Sequence, residues 1–507
     1  MRRAWVLAAV NLWAAACIPR GDPPAGRLVV ADAISTPVQI LPATGDGTTR
    51  ILVARAAQDE GASDLYLVSV DAAGTPPAER MLAANVVANP YGGCTFGTRP
   101  CLQADARGRL LVFSGFDPAT GGSSMARIDP LTGDRTELGV ITNLTLSPSG
   151  QRLVVERRGE DANATLYESD DRAVPLDVVD GAFADEVFYY LTSQHEAMRL
   201  APGGAPERLA TGVTLVRPFT VDGGVVLELM RPTADPAVDT DAFLDTATLR
   251  ETPSPLDSHT FFAISPDGHW LLTDYATGAI TFTDWQTGAQ DVLQPTGAPI
   301  SYGYQWRPGY DELWLPDATE RPTTWIKTPG LPAVEVPGLG FGFTPDGAYW
   351  FSSRSPDYNQ GLLVGSADDP TGPQFELNPP GTQPGSSWQT PDGRIVTAAW
   401  TSTPELSNVY VVDPNTGDRQ VMGEQGAVVS VGQMRLLVTQ HMVGHEGDLT
   451  VFDLGTGQPT VLAWEFALLA VVETQGADQV APGAAVAFKF QARFPSPYDG
   501  IWLTTVP

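Results

Sequence analysis

A four-residue phrase that recurs along the chain sets the tightest limit on its fold. Ser265-Pro-Asp-Gly268 precedes Trp270-Leu-Leu-Thr273, Thr344-Pro-Asp-Gly347 precedes Tyr349-Trp-Phe-Ser352, and Thr390-Pro-Asp-Gly393 precedes Ile395-Val-Thr-Ala398. Ser147-Pro-Ser-Gly150 before Leu153 is a near copy, and looser copies begin at Ala104, Thr220 and Arg307. Pro presets φ, Asp accepts backbone N–H bonds and Gly takes positive φ, so each copy turns the chain sharply into an apolar run. A second phrase, Asp-x-x-Thr-Gly, stands at Asp129, Asp284, Asp413 and Asp453, each after an alternating run such as Val409-Tyr-Val-Val412. Strand, tight turn, strand is the reading of that pattern. The two phrases recur with a period of about 40 residues, the length of a four-stranded propeller blade.

Composition agrees. Gly 51 and Pro 44 disfavour a helical protein. Hydrophobic residues at 43% and charged residues at 18% exclude a disordered acidic tail. A net charge of −29 excludes a nucleic-acid binder, because phosphate repels it. Beyond the N-terminus no apolar run is long enough for a membrane-spanning helix.

The repeated phrases resemble the TolB-type, WD40-like β-propeller repeat over most of residues 45–465. The resemblance implies an all-β fold, a β-propeller of four-stranded antiparallel blades. About ten registers can be counted, with an eleventh partial one around Gly483, whereas family members usually have six to eight blades. One large ring is the favoured reading and two smaller rings the alternative. The last segment, Ala485–Phe490 and Ile501–Thr504, lacks a final strand, and Arg27–Ala31 is a spare one; pairing them would close a ring and remove two sheet edges.

The N-terminus supplies an address. Arg2 and Arg3 precede an apolar stretch, Ala4–Ala16, of signal-peptide length, which ends in Ala14-Ala-Ala-Cys17. Small residues before Cys resemble the bacterial lipobox, although Ala14 stands where that motif prefers Leu. The expected organisation is a signal peptide over 1–16, a lipid-anchored tether over 17–26 with lipid on Cys17, and the propeller over 27–507. Cys94 and Cys101 enclose a turn-rich loop and are expected to form a disulfide in an oxidising compartment, which leaves Cys17 as the odd cysteine that lipidation explains. Ile18 after the Cys favours the outer membrane by analogy with enterobacterial sorting; a secreted soluble protein is the alternative.

Most other notable residues have structural readings. The twelve Trp, Trp270, Trp285, Trp306, Trp350, Trp388 and Trp400 among them, are expected to fill wedges between blades. The Asp of each Ser/Thr-Pro-Asp-Gly is read as a turn former. The acidic run from Asp235 to Asp245 is read as a solvated hairpin tip, with Ca²⁺ as the alternative, since it lacks the Gly and Glu of an EF-hand loop. His441 and His445 with Glu446 have the spacing of a zinc pair on a helix, but the flanking β-runs make them a hairpin connection. The chain has no Gly-x-Ser-x-Gly elbow, phosphate loop or dinucleotide fingerprint, and Lys occurs only at Lys327 and Lys489. No catalytic, metal or cofactor residues are therefore assigned. The expected function is a monomeric, non-enzymatic binding scaffold for a protein or glycan partner in the cell envelope, touching the membrane through its lipid alone. A propeller-type polysaccharide lyase or hydrolase with carboxylates at the central channel is the alternative. The side chains lining the channel discriminate between them: convergent carboxylates favour glycoside chemistry, and a small or apolar lining favours binding.

Overall fold

A computed structural model describes residues 23–32, 34–57, 62–87, 103–117, 122–157, 163–221, 224–232, 239–254, 261–274, 279–293, 304–317, 323–354, 362–378, 383–400, 407–443, 446–467, 472–474, 481–491 and 497–507. Among the described residues there is no helix; they form strands, turns and their connections. The strands fall into eleven four-stranded antiparallel units. Blades 1 to 8 span 35–87, 103–141, 143–176, 180–211, 215–253, 261–293, 305–337 and 339–376. Blades 9 and 10 span 383–432 and 419–467 and share the long strand Arg419–Gly432, whose first half is the outer strand of one and whose second half is the inner strand of the next. Blade 11 comprises Val472–Thr474, Ala485–Phe490 and Gly500–Thr505, with Arg27–Val30 from the N-terminus as its fourth strand. Arg27 pairs with Leu503 and Val30 with Ile501, so the spare strand closes the last blade as the sequence led us to expect.

The core consists of the seams between blades. A strand pairs within its own sheet but hides its two faces against two neighbours, so second strands such as Arg152–Glu156 and Ala485–Phe490 are buried almost throughout. Fourth strands such as Glu207–Thr211 stay exposed and form the rim. Val154, Leu166, Phe188, Tyr190 and Leu200 join blade 3 to blade 4, and Phe243, Leu271 and Trp285 join blade 5 to blade 6. Each such side chain contributes about 2 kcal/mol when buried, which no blade could gain alone. Similar clusters join every consecutive pair, and one containing Val29, Ile51, Val68, Ala487 and Ile501 joins blade 11 to blade 1. Eleven seams in cyclic order make one ring and exclude two. The Trp expectation holds for Trp285, Trp314, Trp350 and Trp502, which are buried in seams; the Trp314 and Trp350 rings lie 4.9 Å apart across the seam between blades 7 and 8.

Because each blade is antiparallel, its first-to-second and third-to-fourth turns lie on one face of the ring, here the turn face. Its other connections lie on the opposite loop face. Every Ser/Thr-Pro-Asp-Gly joins a first strand to a second, and every Asp-x-x-Thr-Gly joins a third to a fourth, so both phrases sit on the turn face. In the first, the Gly347 N–H donates to the Thr344 carbonyl at 2.8 Å, and Asp346 accepts from the Thr344 hydroxyl at 2.6 Å. In the second, Asp413 accepts from the Asn415 N–H at 2.8 Å, and the Gly417 N–H donates to the Asp413 carbonyl at 2.8 Å. Both glycines have positive φ, 69° and 77°. A Cβ on Gly347 would meet the Pro308 carbonyl of the preceding blade at 2.5 Å, and one on Gly417 would strike the Phe375 ring of blade 8. At Gly347 and Gly417 the phrases are thus joints between blades as well as turns.

Basic side chains fasten the same face. Arg80 of blade 1 donates to the Pro130, Leu131 and Thr132 carbonyls in a turn of blade 2. Arg152 of blade 3, 1% exposed, pairs with Glu168 at 3.1 Å and reaches the Leu200 carbonyl of blade 4 at 2.7 Å. Arg307 replaces the Ser/Thr of the turn motif and donates to the Gly347 carbonyl at 2.8 Å, with Asp368 as its ion-pair partner in blade 8. Arg394 and Arg435 reach from blades 9 and 10 to Leu454 and Pro507 carbonyls of the next blade. Lys327 pairs with Asp291 of blade 6 at 2.6 Å. A guanidinium presents several donors in a rigid fork, which suits a group that must satisfy more than one turn carbonyl.

Candidate functional site: the loop-face mouth of the channel

First strands of successive blades approach one another, 143–146 with 180–184 and 180–184 with 215–221, so they form the wall of the central channel. Among the described first strands three residues are charged: Asp180, Arg217 and Glu473. The rest of the wall is Gly, Ala, Ser, Thr, Gln, Asn, Pro and apolar side chains, in a chain that carries 59 carboxylates. Among the described side chains of the wall, Asn143, Asp180, Arg217 and Thr220 are exposed and polar.

Two carboxyl groups at the loop-face mouth, Glu156 and Asp180, feel each other's charge. Glu156 ends the second strand of blade 3, opposite Asn143 at the start of the first strand; both therefore lie at the loop-face mouth. Asp180 begins blade 4 on the same face. The Asn143 amide donates to Glu156 Oε1 at 3.0 Å, and the Thr142 N–H donates to the Glu156 backbone carbonyl at 2.8 Å. Burial pushes the Glu156 carboxyl above its usual range, the Asp180 charge pushes it the same way, and the Asn143 hydrogen bond opposes both. A carboxyl that binds its proton more tightly than a free side chain does, near a second carboxyl group, is suited to pass a proton or a hydrogen bond to a ligand. One blade on, Arg217 pairs with the buried Glu228 at 3.2 Å. In blade 7, Asp317 at the loop-face end of the second strand is fully buried, and neither of its oxygens has a hydrogen-bond partner among the described residues.

The folded state holds the Glu156 proton more tightly than the unfolded chain, so wild-type stability falls as pH rises from the ordinary value of 4.5 through the higher folded value. Glu156→Gln removes that term. The variant is expected to match wild type at acid pH and to exceed it above the folded value; urea midpoints across pH check this, and a constant offset at every pH would contradict it.

The structure places the other sequence candidates differently. Asp239–Asp245, expected in a hairpin tip, is the third strand of blade 5, fully paired with Val226–Pro232 because alternate Ala242 and Leu244 belong to the core. Asp241 is buried, and Asp245 caps the following turn through the Ala247 and Thr248 N–H groups. Asp235 lies outside the described residues. His441 meets Asp448 at 2.9 Å across a hairpin, as the connection reading required, and His445 lies outside the described residues. Among the described residues no three His, Cys, Asp or Glu side chains group to hold a metal. Cys17, Cys94 and Cys101 lie outside the described residues. The described residues on either side of the Cys94/Cys101 segment pair with the second strand of blade 2, Val87 with Phe113 and Gln103 with Leu111. Sequence reasoning missed the Glu156–Asp180 pair, since its members belong to different blades.

No family model matches the chain, and no curated protein does. Among solved structures, the chain is similar to a eukaryotic initiation factor at 13% identity and TM-score 0.41, over 77% of this chain and 96% of that one. It is similar to the tricorn protease at 13% identity and TM-score 0.26, over 89% of this chain and 47% of that one. The β-propeller domain of the Trilobed protease from Pyrococcus furiosus is similar at 11% identity and TM-score 0.27, over 64% and 97%.

Proposed function

We propose that the chain is a lipid-anchored β-propeller of the bacterial cell envelope, of the TolB-like kind, that binds a protein or glycan partner at the loop-face mouth of its channel without transforming it. The observation that carries this reading is the nearly uncharged inner wall: small, apolar and amide side chains suit contact rather than bond cleavage. Basic groups are largely engaged in fastening blades, so the free surface is acidic, and a complementary partner is neutral or basic. Binding of envelope proteins and of defined oligosaccharides by wild type and by Asn143→Arg/Asp180→Arg tests it. Loss of binding with the mouth variant, and retention with Thr456→Arg on the turn face, is expected; equal binding by all three would overturn the mouth as the site. The Glu156–Asp180 pair favours one second reading, a polysaccharide lyase or hydrolase in which Glu156 is the proton donor. Chain shortening of an envelope polysaccharide, abolished by Glu156→Gln, would establish that instead.

The address is part of the same proposal. Cys17→Ser is expected to move the protein from the membrane fraction to the soluble envelope fraction, because stable attachment requires the acyl chains; a variant that stays in the membrane fraction would end the lipoprotein reading. Cys94 and Cys101 are proposed to be linked, an addition of about 2–3 kcal/mol for so short a loop. Mass spectrometry without reductant should find the cross-linked peptide, and alkylation of both thiols under native conditions would contradict it.

A further inference from the structure

The two lysines of the chain differ in what they meet. Lys327 fastens blades through Asp291. Lys489 is 8% exposed, and among the described residues its ammonium makes no hydrogen bond and no close ion pair. Lys489 stands opposite Ile501, near the loop-face end of the second strand of blade 11, Ala485–Phe490. Ala485, Ala487 and Ile501 pack toward blade 1, and strand alternation turns Lys489 the same way. Across the seam, Ile51 and Val53 of blade 1 join the same cluster, and Arg55 follows them by the same alternation. The corner where blades 11 and 1 meet on the loop face thus carries two cations, Lys489 and Arg55.

The carboxylates of this corner are already committed. Glu79 pairs with Arg55. Asp32 accepts from the Ile34 N–H at 3.1 Å, from the Ser35 N–H at 2.6 Å and from the Ser35 hydroxyl at 2.8 Å, and Arg55 stands 3.4 Å from it. Burial pushes the Lys489 ammonium below its usual range, and the charge of Asp32 offsets part of that from a distance. A buried ammonium without a partner is costly, and an apolar side chain of similar length would fill the seam without that cost. A carboxylate brought by a partner would supply the missing charge-assisted hydrogen bonds. The acidic charge of the rest of the ring does not forbid such a contact, because exposed charges more than about 8 Å away are largely screened at physiological salt. Ile34, whose N–H is on Asp32, is 65% exposed and gives the corner an apolar surface. An aliphatic group next to a carboxylate is a feature of polypeptides; the carboxyl of a uronic acid sits among hydroxyls.

We infer that the corner between blades 11 and 1 is the part of the loop-face mouth that receives a single carboxylate of a polypeptide partner, with Lys489 as the group that binds it and Ile34 as the contact for the neighbouring aliphatic side chain. The inference rests on the loop-face mouth being the binding site, and it names the partner's chemistry at one corner of it.

The test uses the full chain grown with lysine carrying 13C at Cε, which yields two signals because the chain has two lysines. The probes are N-acetyl-alanyl-leucine, which ends in a carboxylate, and its amide, which does not. The acid is expected to shift the Lys489 signal saturably and to leave Lys327 in place, and the amide to bind at least about tenfold more weakly. Lys489→Met assigns the signals; in calorimetry it should bind the acid at least about tenfold more weakly than wild type, with an unchanged Lys327 signal showing that it folds, whereas Lys489→Arg should retain binding. An unmoved Lys489 signal, or equal shifts from acid and amide, would overturn the carboxylate site. A shift with galacturonate oligomers and none with the peptide would overturn its polypeptide source. Partner binding that survives Asn143→Arg/Asp180→Arg while the acid still moves Lys489 would place the fault in the reading of the mouth; partner binding abolished by those substitutions while Lys489 stays unmoved would place it in the carboxylate site.

Discussion

A chain shortened to begin at Asp32 should lose about 5–7 kcal/mol of stability against one beginning at Ile18. The segment removed includes the fourth strand of blade 11. Val29 and Val30, 7% and 6% exposed, bury about 2 kcal/mol each in the seam between blades 11 and 1. The ladder to Leu503, Trp502 and Ile501 adds hydrogen bonds of about 1 kcal/mol net apiece. Against a total of about 5–15 kcal/mol for a folded protein, that loss is most of the margin. It also leaves the outer edge of Gly500–Thr505 unpaired, which invites association between chains. Urea midpoints and sedimentation of the two soluble forms check the expectation; identical midpoints would mean that the N-terminal strand decorates the ring without closing it.

Arg152→Ala should cost about 3–5 kcal/mol, among the largest effects of any single substitution in the ring. The guanidinium is buried, pairs with Glu168 through both its Nε and its Nη2 groups, and satisfies carbonyls at Leu200 and Ala201 in the next blade. Truncation strands a carboxylate that is 9% exposed and opens the seam between blades 3 and 4. Replacing both partners, Arg152→Met with Glu168→Leu, should recover most of the loss, because the penalty comes from the orphaned charge rather than from the missing attraction. A double variant as unstable as the single one would show that the carbonyl contacts, not the ion pair, carry the effect.

The sequence made the blades legible wherever a turn needed its standard residues. Asp267, Asp346 and Asp392 occupy equivalent first turns of blades 6, 8 and 9, and the degenerate Arg307 turn is blade 7 between them. The ring size was less legible because other blades solve the same geometry with different residues. Blade 4 turns through Asp185 at φ 52°, and the third turn of blade 5 ends on Leu249 at φ 57°, where the motif has Gly. Leu249 keeps the hydrogen bond of the motif, its N–H donating to the Asp245 carbonyl at 2.8 Å, so the turn survives without its signature. The fastening arginines were illegible for another reason. Arg152 and Arg307 find their carbonyls 34–60 positions along the chain, a distance fixed only once blades stack. The same holds for the channel mouth. Glu156 looks like any strand-end acid until the seam places Asp180 beside it, and a nearly uncharged inner wall can be recognised only when one knows which strands are innermost.

The most direct test is to count the blades by electron microscopy of the purified protein, viewed down the ring axis. The structure requires one ring of eleven blades, with the N-terminal strand completing the blade that contains the C-terminus. A ring of six to eight blades with the remaining strands outside it, or two separate rings, would contradict the closure, the channel and the site built on them.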